Sequence, residues 1–203
     1  MSIKLYRHEL SGHAHRVETF LSILQKDYEL VNVDLMAGEQ RTEAFLKLNP
    51  FGQVPVLVDG EVILADSTAI LVYLARKYGQ EWLPSDALGQ ARVQRWLSVA
   101  SGEVAAGPGA ARLVKLFGAP LDHEAAVTKA HKLLGTLESH LSEHKFLAAD
   151  EPTIADLAVY TYVAHAPEGG VSLQNYPQVR AWISRVEALA NFVPMKRSST
   201  ANI

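Results

Sequence analysis

Ser11 is the first hydroxyl placed where it could do chemistry. It stands in a loop, residues 7–12, between an alternating run, Ile3-Lys4-Leu5-Tyr6, and an apolar series at helical spacing, Val17, Phe20, Leu21 and Leu24. A hydroxyl just ahead of a helix either caps that helix or donates to whatever sits at its N-terminus. His8, His13 and His15 lie close by, but an i, i+2 pair does not share a helix face. A second stretch with chemical potential runs from Asn49 to Ser67. Two apolar runs, 56–58 and 62–64, flank Asp59-Gly60, a spacing that predicts a β-hairpin because Asp-Gly tolerates the positive φ of a tight turn. Pro55 precedes the first run and cannot donate to a ladder, so it either starts an edge strand or makes a cis turn. Asp66-Ser67 then open a periodic run, Ile70, Leu71, Tyr73 and Leu74. Orphan N–H groups of a helix N-terminus therefore lie beside an exposed strand edge, a pairing that suits an extended peptide carrying a carboxylate.

The elements that must position these groups follow from periodicity. Residues 28–35, with Leu30, Val31 and Val33, return to strand character, so the first segments form a parallel βαβ unit. A short helix over 42–48 leads into the hairpin. The helix opened by Asp66 runs to Tyr78 and stops at Gly79, expected as a C′ glycine. Pro84, Ser85 and Asp86 mark a change of composition, and no alternating β-branched run follows. Helical patterns cover 92–116, with a break expected at Gly107-Pro108-Gly109, then 123–142, 154–165 and 179–190. Residues 1–79 thus read as one α/β domain, 80–88 as a linker and 89–203 as an all-helical domain. Thr153-Ile154-Ala155-Asp156 has the layout of a capping box and is assigned a structural role.

The totals remove several classes of function. The chain has 203 residues, 48% hydrophobic and 20% charged, with a net charge of −3, so nothing attracts it in bulk to nucleic acid or to an anionic membrane. No apolar run approaches the ~20 residues of a membrane span. Met1-Ser2-Ile3-Lys4 lacks a signal-peptide layout. There is no cysteine, which excludes disulfides, protein thiolate nucleophiles and cysteine-ligated zinc. The eight histidines show no zinc spacing, so no metal is expected. A cytoplasmic protein is the expectation.

Gln53-Val54-Pro55 followed by Asp66-Ser67 resembles the glutathione-binding half of the glutathione transferases. The stretch 49–55 is most similar to the serine-type branches, phi and theta, and their bacterial relatives, and the resemblance covers the whole chain. It implies an α/β thioredoxin-like N-terminal domain plus an all-α C-terminal domain that holds an electrophile pocket. It implies a homodimer, a detoxification role, and transfer of glutathione thiolate to a small, largely apolar electrophile.

The same resemblance assigns residues. Ser11 precedes Arg16-Val17 at the spacing of the catalytic serine in phi- and theta-like members, so it is implied to donate to a bound thiolate and not to act as a nucleophile. A hydrogen bond to the charged form and a nearby helix N-terminus both favour thiolate over thiol. Tyr6 is the competitor, since tyrosine-type members place their catalytic tyrosine near the end of the first strand. Tyr6 lies inside the strand pattern and reads as core. Ser67 is implied to hold the γ-glutamyl carboxylate, Asp66 to face the ammonium group, Val54 to pair its backbone with the cysteinyl part beside a cis Pro55, and Gln53 to bond the peptide. Gln40 and Arg41 occupy the place of a His-Lys pair that reaches the glycyl carboxylate. Gln40 departs from that pattern, which leaves Arg41 or Lys47 for the contact, or else these charges form a solvated face.

Leu10, His13, Arg112, Leu113, Leu116, Tyr162 and His165 are placed in the second-substrate pocket, each equally able to be interdomain core. Trp96 and Trp182 read as packing residues, and Glu103 is a candidate to reach the partner's glutathione. Rival functions on the same scaffold are a glutathione-dependent disulfide reductase or peroxidase, a dehalogenase, and a non-catalytic transferase-like interaction module.

Overall fold

The computed structural model describes residues 2–198. Strand β1 (Ile3–Arg7) buries Ile3 and Leu5 and exposes Lys4, the alternation of a strand with one covered face. Helix α1 (Gly12–Ile23) returns the chain to β2 (Tyr28–Asn32), which runs parallel to β1 with Leu5 opposite Leu30. β2 ends earlier than the apolar pattern predicts. The Asp34 carboxylate accepts the N–H groups of Met36 and Ala37 and turns the chain there. A 3-10 turn (Glu39–Arg41) and α2 (Glu43–Leu48) lead to β3 (Val56–Asp59) and β4 (Val62–Ala65), both antiparallel neighbours. The sheet order is β2-β1-β3-β4. Asp59 is still paired, opposite Val62, so the turn is Gly60-Glu61, not Asp59-Gly60, and Gly60 takes the positive φ of 64°. The Asp59 carboxylate instead accepts from Tyr73, Lys77 and Tyr78 and ties the hairpin to α3 (Ser67–Tyr78).

Gly79 ends α3 with φ −150°, so it is not the left-handed cap expected from the sequence. Its missing side chain has another cause: a Cβ there would lie 2.4 Å from Leu24 Cδ2. The segment read as a linker carries a second 3-10 turn (Gln80–Trp82) and the start of α4 (Ala87–Val99), capped by the Asp86 side chain. The break expected at Gly107-Pro108-Gly109 does not occur. The backbone widens into a π-helical segment (Ala100–Gly109) and continues as α5 (Ala110–Phe117). Pro108 has no N–H to give, and the wider turn accommodates its ring. Helices α6 (His123–Leu141), α7 (Ile154–Ala164) and α8 (Pro177–Glu187) complete the helical half.

α7 is buried from Ile154 to Val163 and touches α1, α3 and α4. A single apolar core runs from Leu5, Phe20 and Leu71 under the sheet to Val93, Leu134 and Val159 among the helices. A smaller cluster, Val33, Phe45 and Val56, lies apart from it. The molecule is therefore a thioredoxin-like sheet domain joined to an all-helical domain through shared core, with α1 and α3 at the join.

A helix so deeply buried must satisfy its first N–H groups internally. Thr153 and Asp156 form the expected capping box, with the Thr153 N–H donating to Asp156 Oδ2 at 2.9 Å. Asp156 Oδ1 also accepts Leu147 N–H at 3.0 Å and the Trp182 indole N–H at 2.9 Å. Burial pushes the Asp156 carboxyl upward, against the pull of these donors. Asp156→Ala would leave four buried donors, the Thr153 N–H and hydroxyl, the Leu147 N–H and the Trp182 indole N–H, without this acceptor. Each such loss costs about 1–3 kcal/mol, so denaturant unfolding of Asp156→Ala should show a loss of about 3 kcal/mol or more. An unchanged midpoint would mean that water replaces the carboxylate.

Candidate active site

A cavity of about 780 Å³ opens between the sheet edge and the helical half. Its walls come from the start of α1 (Ser11, His13), the loop after β2 (Leu35, Met36, Gln40), residues Asn49, Phe51, Gly52, Gln53, Val54 and Pro55, and the β4–α3 junction (Ala65, Asp66, Ser67). The helical half supplies Arg112, Leu113, Phe117 and Tyr162, and the loop before α1 supplies His8 and Leu10.

Ser11 is the N-cap of α1. Its Oγ accepts the N–H of Ala14 at 3.2 Å. Capping uses a lone pair, and a serine oxygen that accepts one N–H keeps its own hydrogen to donate. The capping and the donor roles weighed from the sequence are thus compatible at this one residue, on the cavity wall.

The Val54–Pro55 peptide is cis, and Val54 precedes the ladder, which begins at Val56. The loop ahead of it is held by Asn49, whose side chain donates to the Gln53 carbonyl at 2.8 Å and accepts Phe51 N–H at 3.1 Å. Asp66 caps α3 with φ 69°, a backbone region that costs a non-glycine residue free energy and that concentrates at functional sites. Its Oδ1 accepts the N–H groups of Thr68 and Ala69, each at 2.9 Å, and the Thr68 hydroxyl. Burial pushes the Asp66 carboxyl up, but these donors win and hold it below the ordinary value. An ionised carboxylate and the first N–H groups of α3 therefore share one end of the cavity.

Arg16 and His13 stand behind that end. Arg16 is 1% exposed, and its Nη1 donates to Ser67 Oγ at 3.3 Å. Guanidinium can only donate, so the Ser67 hydroxyl hydrogen is left for His13 Nδ1, also at 3.3 Å. That order puts the His13 proton on Nε2. Burial, helped by Arg16, lowers His13 to about 3, and burial lowers His15 to about 4. Both rings are neutral near pH 7. His15 bonds Thr161 Oγ1 at 3.0 Å and the Val193 carbonyl at 2.7 Å, which ties α1 to α7 and to the returning C-terminal segment. Burial also lowers Arg16 to about 10, which leaves it charged.

On the helical side, Arg112 donates through Nη1 to the Leu10 carbonyl at 2.8 Å and through Nε to Glu168. Leu113 and Phe117, i and i+4 on α5, present partly exposed apolar surface to the cavity.

The structure thus brings Ser11, Gln40, Gln53, Val54, Pro55, Asp66, Ser67, Leu10, His13, Arg112, Leu113 and Tyr162 around one space. Three expected residues are absent from its walls. Arg41 is exposed on its 3-10 turn, Leu116 is half-buried on α5, and His165 is buried, its Nδ1 facing Glu168 at 3.4 Å. Lys47 is exposed and paired with Glu43. Phe117 was missed, although its i+4 spacing from Leu113 was a usable signal; His8, Met36 and Phe51 were missed and carry none. His13, placed in the second-substrate pocket, bonds Ser67 while its ring meets Tyr162 edge-on at 5.1 Å. Tyr6 packs on Phe45 and does not line the cavity. Among the described residues no cluster of three or more His, Asp or Glu side chains could hold a metal ion.

Comparison with known proteins points to one family for both halves of the chain. The sequence model of the glutathione S-transferase N-terminal domain matches residues 1–76, and that of the C-terminal domain matches residues 119–190. Glutathione S-transferase 3 of Zea mays is 39% identical, over 94% of this chain and 91% of its own length. Glutathione S-transferase theta-1 of Bos taurus is 33% identical, over 93% and 83%. The crystal structure of a glutathione S-transferase from Pseudomonas fluorescens superposes with a TM-score of 0.89 at 32% identity, covering 96% of this chain and 99% of that one. A glutathione transferase homologue from Drosophila mojavensis, solved with bound glutathione, gives 0.84 at 30% identity, over 93% and 88%.

The two neutral histidines make a pH test. Each is held below its ordinary value, so between about pH 4 and 6.5 the unfolded chain binds more protons than the folded one. Their contribution to stability is complete above about pH 6.5 and is lost as the pH falls. Histidine NMR should show neither ring titrating between pH 8 and 5. A His13 midpoint near 6.5 would contradict the buried, neutral assignment.

Proposed function

Because the chain belongs to the glutathione S-transferase family, we propose how this cavity holds glutathione and which electrophile it serves. The observation that carries the proposal is the convergence on one cavity of the Ser11 hydroxyl, the Val54–Pro55 edge and the Asp66–Ser67 helix start. Glutathione lies extended across the sheet edge. Its γ-glutamyl carboxylate meets the Ser67 N–H and the Ser67 hydroxyl, which turns from His13 to donate to it; the α3 dipole and Arg16 favour an anion there, and the ammonium meets Asp66. Val54 pairs with the cysteinyl backbone as a short added strand, with Gln53 beside it. Arg41 lies off the cavity wall, so the glycyl end falls to the neutral amides of Gln40 and Gln53.

The sulfur then rests by Ser11, whose hydroxyl donates to the thiolate. The thiol proton passes to solvent, sulfur forms a bond to the electrophilic carbon, and the leaving group departs with the electron pair. Leu10, Leu113 and Phe117 wall the space facing the sulfur, which suits a small, largely apolar electrophile.

Two variants separate the ends of this site. Ser67→Ala removes a hydrogen bond to a charged group, worth about 1.5–3 kcal/mol, and should raise KM for glutathione more than it lowers kcat. Ser11→Ala should raise the pKa of bound glutathione by roughly one to two units and slow turnover at neutral pH by about ten- to a hundredfold, the loss shrinking as pH rises. Thiolate absorbance and kcat/KM against pH read both effects. Superimposable profiles for Ser11→Ala and wild type would leave Ser11 a helix cap alone.

A homodimer is the assembly we propose, with α3 and α4 in the contact and Glu103 directed at the partner's site. Phe51, 82% exposed at the cavity rim, and the groove between α3 and α4, lined by Val72 and Ala91 together with Arg76, Gln90 and Gln94, support such a contact. Sedimentation at micromolar concentration should give a dimer, and a monomer there would refute the assembly.

A further inference from the structure

Tyr162 is the one residue of α7 on the cavity wall, and it is 6% exposed. Its ring presses on the start of α1: a Cβ added to Gly12 would lie 2.7 Å from Tyr162 Cε1 and Cζ. Only glycine lets the phenol come this close to the residue after Ser11. The backbone N–H groups of Gly12 and His13, at the first turn of α1, lie on the side of the phenol oxygen and favour negative charge there. Among the described residues none accepts the phenol hydrogen, and the oxygen is not among the fully buried unpaired polar atoms, so the hydroxyl is open to a ligand in the cavity. Arg16 stands over the ring, 5.9 Å from its centre. Burial nonetheless raises the phenol above its ordinary value, so it stays protonated and has a hydrogen to donate.

We propose that the Tyr162 hydroxyl is a second hydrogen-bond donor to the glutathione sulfur, facing it from the helical half while Ser11 faces it from the sheet half. The inference rests on the placement of glutathione proposed above. The phenol hydrogen donates to sulfur, and the positive end of the α1 dipole beside the phenol favours the same thiolate. Tyr162 is then a catalytic residue that the serine-type pattern does not contain.

Tyr162→Phe keeps the ring against Gly12 and removes only the donor. In the full-length enzyme with bound glutathione, its thiolate titration should move up by about one pH unit. kcat/KM for an aryl halide at neutral pH should fall about tenfold, a loss that shrinks at high pH, while glutathione Kd changes less than threefold. Replacement of Tyr162 by 3-fluorotyrosine strengthens the donor without disturbing packing, and should move the same titration down. A role in packing alone would move neither. Ser11→Ala is measured alongside. If Ser11→Ala shifts the titration and both Tyr162 replacements overlay wild type, the Tyr162 inference is overturned and the glutathione placement stands. If no replacement shifts it, the placement of sulfur between these residues fails as well.

Discussion

The first two turns of α1 carry the constraint on which the rest of the structure depends. They must meet the sheet half at Ser67, the helical half at Tyr162 and Thr161, and the cavity at Ser11, all within residues 11 to 16. Four side-chain choices satisfy that demand. Gly12 admits the phenol, His15 bonds across to α7, and Arg16 and His13 both reach Ser67. The surrounding core, continuous through both halves, makes the arrangement rigid, since packed interiors do not yield to small displacements.

That rigidity permits an uncommon electrostatic arrangement. Arg16 is fully buried without an ion pair of its own, and its Nε and Nη2 have no hydrogen-bond partner among the described residues. Desolvation of such a group is expensive. The cost is offset in part by Ser67, by the Tyr162 face and by the nearby Asp66 charge. The result is a fixed positive potential behind the α3 N-terminus, where an anion would gain from both. Neutral His13 adds no charge to that balance, because its neighbour Arg16 and its burial together keep it unprotonated.

Local chemistry was legible in the sequence, and tertiary approach was not. The hairpin, the helix opened by Asp66-Ser67 and the Thr153–Asp156 box depend on residues a few positions apart, so their spacing announces them. Even there the turn slipped by one residue, because Asp59 was claimed by Tyr73, Lys77 and Tyr78 from another element. Of the site, the strand edge and the capping serine were legible. Gln40 lines the cavity and Arg41 beside it does not, because a 3-10 turn sends neighbouring side chains in different directions. On α5, Phe117 lines the cavity and Leu116 does not. Gly12 shows the limit best, since the reason for its missing side chain lies 150 positions along the chain, at Tyr162.

The bond from His15 to the Val193 carbonyl spans 178 positions. Thr19 donates to the same carbonyl, and Lys196 pairs with Glu9, two residues ahead of Ser11. During synthesis at roughly 5–20 residues per second, α1 would wait about 9–36 seconds for that clasp to emerge. The clasp cannot close until nearly the whole helical half has been made, so the two halves are coupled through the order of the chain as well as through shared core.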